Sequence, residues 1–142
     1  MKLHFEQLQE QDVALLRDIS EEYANVDIAQ VKPFLAEKHN IALVAKLDGK
    51  IIGLLCGHSL TDFEGGTRMF YIYSVDIHSE YQNRGYCSQF MQFAIDWAKG
   101  NGFRNCCVYT DEDNKRACRV YEKVGMTSIP SCEFNINFSE NE

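Results

Sequence analysis

The pattern of apolar and polar positions divides the 142-residue chain into short runs of two periods. "LHFEQL" alternates long enough for a short strand. In "EQDVALLRDISEEYANVD", Val13, Leu16, Ile19 and Tyr23 form a stripe that predicts a helix. "DIAQVKPFLAEKH" predicts a second, shorter helix, capped by Asp27 and broken or kinked at Pro33. "NIALVAKLDGKIIGLLCGHSL" reads as two strands joined at Asp48-Gly49, a strong hairpin signal. After the turn "DFEGG", the aromatic and β-branched run "TRMFYIYSVDIH" predicts another strand.

Phe90, Phe93, Ala94, Trp97 and Ala98 then recur at the spacing of one helical face, and Gly100 and Gly102 end that helix. "FRNCCVYT" returns to a strand. "DNKRACRVYEKVG" is a helix with Ala117, Val120, Tyr121 and Val124 on one side and Gly125 as its stop. "MTSIPSCEFNINFS" predicts one or two closing strands. The order β-α-α-β-β-β-α-β-α-β(β) is that of an α/β chain, a mixed sheet with helices on both faces. Its one β-α-β crossover should be parallel and right-handed. No repeat, linker or low-complexity segment interrupts it, so residues 1–142 read as a single domain.

Composition narrows the classes. With 45% hydrophobic and 25% charged residues the chain is an ordinary globular sequence. No apolar run approaches the roughly 18–20 residues that span a bilayer, so no membrane partner is expected. "MKLHFEQLQEQD" turns polar too early for a signal peptide. Six cysteines without a CxxC pair argue against a zinc or disulfide framework and for reduced thiols in a cytoplasm. Fourteen basic against twenty-one acidic residues leave a net charge of −7, which argues against nucleic acid, whose phosphates need clustered Lys and Arg. The same charge suits a cationic partner as well as plain solubility.

Between the aromatic strand and the long helix lies "EYQNRGYCSQF". A helix start carries unpaired N–H groups and about half a positive charge, a natural seat for phosphate. Gly85 lets a ligand approach the backbone and Arg84 adds charge. Neither a Walker loop nor a dinucleotide fingerprint is present.

Gln82-Asn83-Arg84-Gly85-Tyr86-Cys87 resembles the Gln/Arg-x-x-Gly-x-Gly/Ala signature of the GNAT acetyltransferase superfamily. Asn114, Ala117, Tyr121, Lys123, Gly125 and Met126 are similar to its second signature, one helix and one strand further on. The resemblance covers the whole chain, most closely residues 41–126. Within the superfamily, "ALVAKLDGKIIGLL", "FYIYSVDIHSEYQNRG" and "FNINFS" are most similar to the aminoglycoside 3-N-acetyltransferases. Two departures stand out. Tyr71-Ile72-Tyr73-Ser74 lacks the acid of that branch's Tyr-Ile-Tyr-Asp, and Cys87 replaces a glycine or alanine but is small enough to fit.

The resemblance implies a central sheet of six or seven strands, splayed between the fourth and fifth. It implies acetyl-CoA as donor and no metal. Backbone N–H groups of Gln82, Asn83, Arg84, Gly85, Tyr86, Cys87 and Ser88 should wrap the pyrophosphate. Val75 and Ile77 should pair with pantetheine like another strand, and Asn114 should hydrogen-bond the same arm. Tyr121 is the expected proton donor to the departing sulfur, against the plainer reading of a core aromatic. With no acid at Ser74, Asp76 and Glu64 are the carboxylates considered as base. Asp62, His58, His78 and a water chain are also open. Cys87 is not expected to act as a nucleophile.

The leading expectation is acetyl transfer to a primary amine of a small cationic acceptor, aminoglycoside-like or polyamine-like. A protein or peptide N-acetyltransferase and a non-catalytic acyl-CoA-binding module are the alternatives. A homodimer is the one assembly considered.

Overall fold

The computed structural model describes residues 2–139. Strands β1 (Leu3–Gln7), β2 (Asn40–Leu47), β3 (Lys50–Thr61), β4 (Arg68–Ile77) and β5 (Asn105–Val108) form one sheet in chain order. The first three junctions are antiparallel and β4–β5 is parallel, so the sheet is mixed. Asp48 and Gly49 turn the β2–β3 hairpin with φ of 51° and 84°, the left-handed pair a tight two-residue turn requires. α1 (Ile28–Ala36), α2 (Tyr86–Gly100) and α3 (Lys115–Lys123) complete the elements, with 3₁₀ segments at Glu10–Asp18, Glu21–Tyr23 and Ser79–Tyr81.

The sheet separates two cores. On one face, Phe90, Met91, Ala94 and Ala98 of α2 pack against Leu43, Leu55, Phe70 and Ile72. On the other, Val13, Leu16 and Ile19 pack against Val44, Ile51 and Leu54, with α1 laid alongside. Because β2 and β3 are covered on both sides, they read as continuous apolar runs rather than alternating ones.

Three expectations are corrected. The stripe at Val13, Leu16 and Ile19 winds as a 3₁₀ segment, not an α-helix. Its spacing is three, which stacks side chains on a three-residue turn, whereas an α-helical stripe mixes threes and fours. Of the break or kink expected at Pro33, the break does not occur, since α1 runs on to Ala36. A proline removes one backbone bond, and a helix ending three residues later loses little more. The closing strands are absent among the described residues, so the sheet has five strands rather than six or seven. The 134–138 run alternates in sequence as a strand should, but among the described residues it is not part of the sheet.

Two irregularities prepare a site. β4 pairs with β5 only over residues 69–72, yet β4 continues to Ile77 while β5 stops at Val108. The two strands part there. In addition, Tyr73 is an extra residue: Ile72 faces Gly57 and Ser74 faces Cys56, leaving Tyr73 without a partner on β3. Gly57 makes that bulge possible, because a Cβ there would lie 2.5 Å from the Tyr71 carbonyl oxygen.

Candidate active site

Three helices begin in two different ways. Asp27 caps α1, accepting from the Gln30 N–H at 2.9 Å, and Asn114 caps α3, accepting from the Ala117 N–H at 3.2 Å. α2 has no side-chain cap at all. Its Ncap is Gly85, at φ 82°, and Asn83 is also left-handed at φ 61°. Among the described residues, the N–H groups of Asn83, Arg84, Gly85, Tyr86, Cys87 and Ser88 find no acceptor. A Cβ placed on Gly85 would meet nothing within 4 Å, so the space in front of these donors is open.

The surroundings are cationic in a chain of net charge −7. The Arg84 guanidinium lies 5.6 Å from the centre of the Tyr81 ring, and the Lys50 ammonium 5.8 Å from the same centre. Arg116 of α3 donates to the Gln82 side-chain oxygen. The Gln82 amide in turn donates to the Ile77 carbonyl at 3.0 Å, tying the end of β4 to α3. The Gln82 N–H is directed at the Ser79 carbonyl, 3.4 Å away, so the open donors begin at Asn83. Burial pushes the Cys87 thiol up, and nearby Arg116 only partly opposes this, so the residue is no ready thiolate.

The β4 backbone supplies a second open edge. His78 donates to the Ile52 carbonyl at 2.8 Å, which makes the facing pair Gly53–Ile77 one without mutual hydrogen bonds. Two residues back, Val75–Leu55 has the same parity. Val75 and Ile77 therefore turn their N–H and C=O groups away from β3, toward the side that β5 has left. Only the Ile77 carbonyl there has a described partner, the Gln82 amide.

Asn114 caps α3, and Tyr121 of that helix packs on the same core cluster as Val75 and Ile77. Gly125, at φ 93°, ends the helix, with Gly125 N–H on the Glu122 carbonyl and Met126 N–H on that of Tyr121. The Tyr121 ring packs on the core around α2, and its hydroxyl has no hydrogen-bond partner among the described residues. Burial pushes its pKa up to about 12, with smaller contributions from Cys87, Cys118 and Asp76. Its proton is held through the neutral range. Asn114 spends its carbonyl oxygen on the cap and keeps its amide N–H₂ to donate.

Asp76 lies on the opposite face of β4. Its Oδ2 accepts from the Tyr23 hydroxyl at 2.6 Å, and burial together with this bond raises the Tyr23 pKa. Its other oxygen has no described partner. Glu64 is not brought to the same place. It sits in the β3–β4 turn, before Arg68, while Asp76 is at the far end of β4. Asp62 shares that turn. His78 caps a 3₁₀ turn through its Nδ1, which accepts from the Glu80 N–H.

Sequence reasoning missed three features. Tyr23 is the phenol that holds Asp76, and the stripe showed it only as apolar. Arg116 fixes Gln82. A group of rings gathers around His58: its imidazole lies 6.3 Å from both Tyr71 and Tyr73, and Tyr71 lies 5.9 Å from Tyr109. Tyr73 and Tyr109 remain 69% and 64% exposed, so these rings face outward. Only the bulge, which puts Tyr73 beside Tyr71, could have pointed to them.

Among the described residues, no helix is long and apolar enough to cross a membrane. No three metal-ligating side chains gather there either.

Comparison with known proteins bears on the fold and the family. The chain is 24% identical over 95 residues to probable N-acetyltransferase camello of Xenopus tropicalis, a match covering 67% of this chain and 42% of that protein. Aminoglycoside acetyltransferase meta-AAC0020 from an uncultured soil metagenomic sample, solved with sisomicin, superposes with a TM-score of 0.84 at 19% identity. That superposition covers 96% of this chain and 97% of the other. Ribosomal-protein-alanine N-acetyltransferase of Brucella melitensis biovar Abortus 2308 gives 0.80 at 17% identity, covering 97% and 100%. The model of the acetyltransferase (GNAT) family matches residues 6–126, and the chain belongs to that family.

Proposed function

We propose that the protein transfers an acetyl group from acetyl-CoA to a primary amine of a small cationic acceptor. The observation that carries this reading is the uncapped start of α2, where six adjacent N–H groups lack acceptors beside open space. A helix start offers unpaired donors to an anion, and in the other two helices a side-chain cap takes one of them. A pyrophosphate would accept from Asn83, Arg84, Gly85, Tyr86, Cys87 and Ser88, in the field of the helix and of Arg84 and Arg116. Val75, Ile77 and the Asn114 amide are the groups for the pantetheine arm.

Acetyl-CoA supplies an activated acyl group as a thioester. The residues of this chain do the rest. Asp76, held by Tyr23, offers its free oxygen to take the proton lost by the amine as the N–C bond forms, directly or through a water. Tyr121 gives a hydrogen bond to the sulfur as the C–S bond breaks, and its high pKa keeps that proton in place at neutral pH.

The acceptor reading rests on the rings of His58, Tyr71, Tyr73 and Tyr109, on the Asp76 face of the sheet. Aromatic faces attract ammonium groups, by about 0.5–2 kcal/mol each. The net charge of −7 draws cations at longer range. The sisomicin complex of a protein of the same fold is in keeping with an aminoglycoside-like amine.

The test is turnover of acetyl-CoA with a panel of polyamines, aminoglycosides and peptides. Polyamine or aminoglycoside amines should be acetylated, more weakly as salt shortens the screening length to about 8 Å. Tyr73→Ala should raise KM for the amine about 5–30-fold with kcat little changed. Preference for peptide N-termini would replace this acceptor with a protein. No turnover with any amine, despite binding of coenzyme A, would leave only an acyl-CoA-binding module.

A further inference from the structure

A chain of hydrogen bonds that starts at α1 holds His58 in one state. The Asn40 amide N–H₂ donates to the Phe34 carbonyl at 3.1 Å. A carbonyl can only accept, so this bond fixes which way the amide is turned. Asn40 Oδ1 then faces His58 Nδ1, 2.9 Å away. Oδ1 also can only accept. Nδ1 therefore carries the proton, and in the neutral imidazole Nε2 keeps a lone pair.

Nε2 has no hydrogen-bond partner among the described residues. The one side-chain polar atom there that is both buried and unpartnered is Ser59 Oγ, so Nε2 is open to solvent. Its setting follows from the register. Asn40, His58 and Tyr71 stand opposite one another across β2, β3 and β4, and directly opposite residues share a face. With Nδ1 turned to β2, Nε2 faces away from that strand, on the side of the Tyr71 and Tyr73 rings. Both ring centres lie 6.3 Å from that of the imidazole, and Phe34 of α1 packs edge-on at 6.0 Å. Asp76 lies on the same face, opposite Leu54. The four positions from Leu54 to His58 span about 13 Å at about 3.3 Å each. Between them falls the point where β4 and β5 part, since Ile72 is the last β4 residue paired with β5.

We propose that His58 is a specificity-determining residue whose Nε2 accepts a hydrogen bond from a second ammonium group of the acceptor, while the reacting amine sits at Asp76. This deepens the acceptor reading above and rests on it. A lone pair calls for an N–H or O–H donor, and the surrounding aromatic faces favour a cationic one. The spacing selects an extended diamine or polyamine, because a molecule with a single ammonium group cannot serve both ends. Asn40 acts through His58 and is a positioning residue: it keeps the proton on Nδ1, so that Nε2 accepts rather than donates.

Nitrogen-15 spectra of the imidazole and steady-state kinetics test this together, with hexamethylenediamine, hexylamine and aminohexanol as matched probes. At mildly alkaline pH, where imidazole is ordinarily neutral, Nδ1 should show the protonated signature and Nε2 the unprotonated one. The diamine should move the Nε2 resonance, the monoamine far less, and the amino alcohol less than the diamine. His58→Phe should raise KM for the diamine about 10-fold more than KM for hexylamine, with kcat little changed. His58→Gln, which restores an acceptor, should recover part of that difference. A proton on Nε2 in the free protein, or an Nε2 resonance that the diamine leaves in place, would overturn the proposal. Equal losses for diamine and monoamine in His58→Phe would make His58 a packing residue and overturn it too. If the diamine moves Nε2 but no amine is acetylated, the subsite stands and acetyl transfer falls. If the diamine is acetylated with Nε2 unmoved, acetyl transfer stands and the subsite falls.

Discussion

Tyr121→Phe should lower kcat about 100-fold while leaving acetyl-CoA binding unchanged. The hydroxyl has no protein partner among the described residues, so its removal costs the fold no hydrogen bond. The ring and its packing against the α2 core remain. What disappears is one donor whose value is felt mainly as charge develops on sulfur. General acids typically contribute about 10²–10⁴-fold, and a phenol is a weak acid, which puts the expectation at the lower end. Burial, the main cause, raises the Tyr121 pKa to about 12, so the folded form keeps this proton well above the pH at which an exposed tyrosine ionises. The sign follows: from pH 7 to 10, no alkaline loss of activity should come from Tyr121. Steady-state kinetics of the variant, beside direct cofactor binding, checks both points. An enzyme with near wild-type kcat, chemistry being rate-limiting, would return Tyr121 to the core.

Gly85→Val should abolish most coenzyme A affinity, by about 100-fold. Gly85 holds φ 82°, a region a β-branched residue adopts only with strain of about 1–3 kcal/mol. The added Cβ would meet no protein atom within 4 Å, and a branched side chain beside the open donors would crowd a ligand approaching them. Losing two charge-assisted hydrogen bonds there, at about 1.5 kcal/mol each, corresponds to that factor. Gly85→Asn is the control, because asparagine tolerates a left-handed backbone but still carries a Cβ. It should fold better than the valine variant and bind nearly as poorly. Calorimetric titration that finds undiminished binding in a folded Gly85→Val protein would remove the pyrophosphate from the α2 start.

Local signals were the ones legible in the sequence. Asp48-Gly49, the Asp27 cap and the stop at Gly125 each depend on a few adjacent residues, and each lies where the chain's pattern put it. The sequence also placed Gln82 through Ser88 between a strand and a helix. It could not show that the helix would lack a cap, because that is a statement about every nearby acceptor. The 3₁₀ winding of Glu10–Asp18 was present in the spacing of three, but a stripe of four residues fits either helix. Contacts distant in sequence were invisible. Tyr23 meets Asp76 across 53 positions and Arg116 meets Gln82 across 34. The sequence already put Glu64 in the loop before the strand and Asp76 on it; what it could not show is which of them a neighbouring side chain holds.

Amide resonances followed while coenzyme A is titrated into the protein test the central claim most directly. The largest shifts should fall on the N–H groups of Asn83, Arg84, Gly85, Tyr86, Cys87 and Ser88, with Val75 and Ile77 following, and the desulfurised cofactor should give the same pyrophosphate pattern. Saturable binding that moves amides elsewhere and leaves residues 83–88 in place would contradict the account.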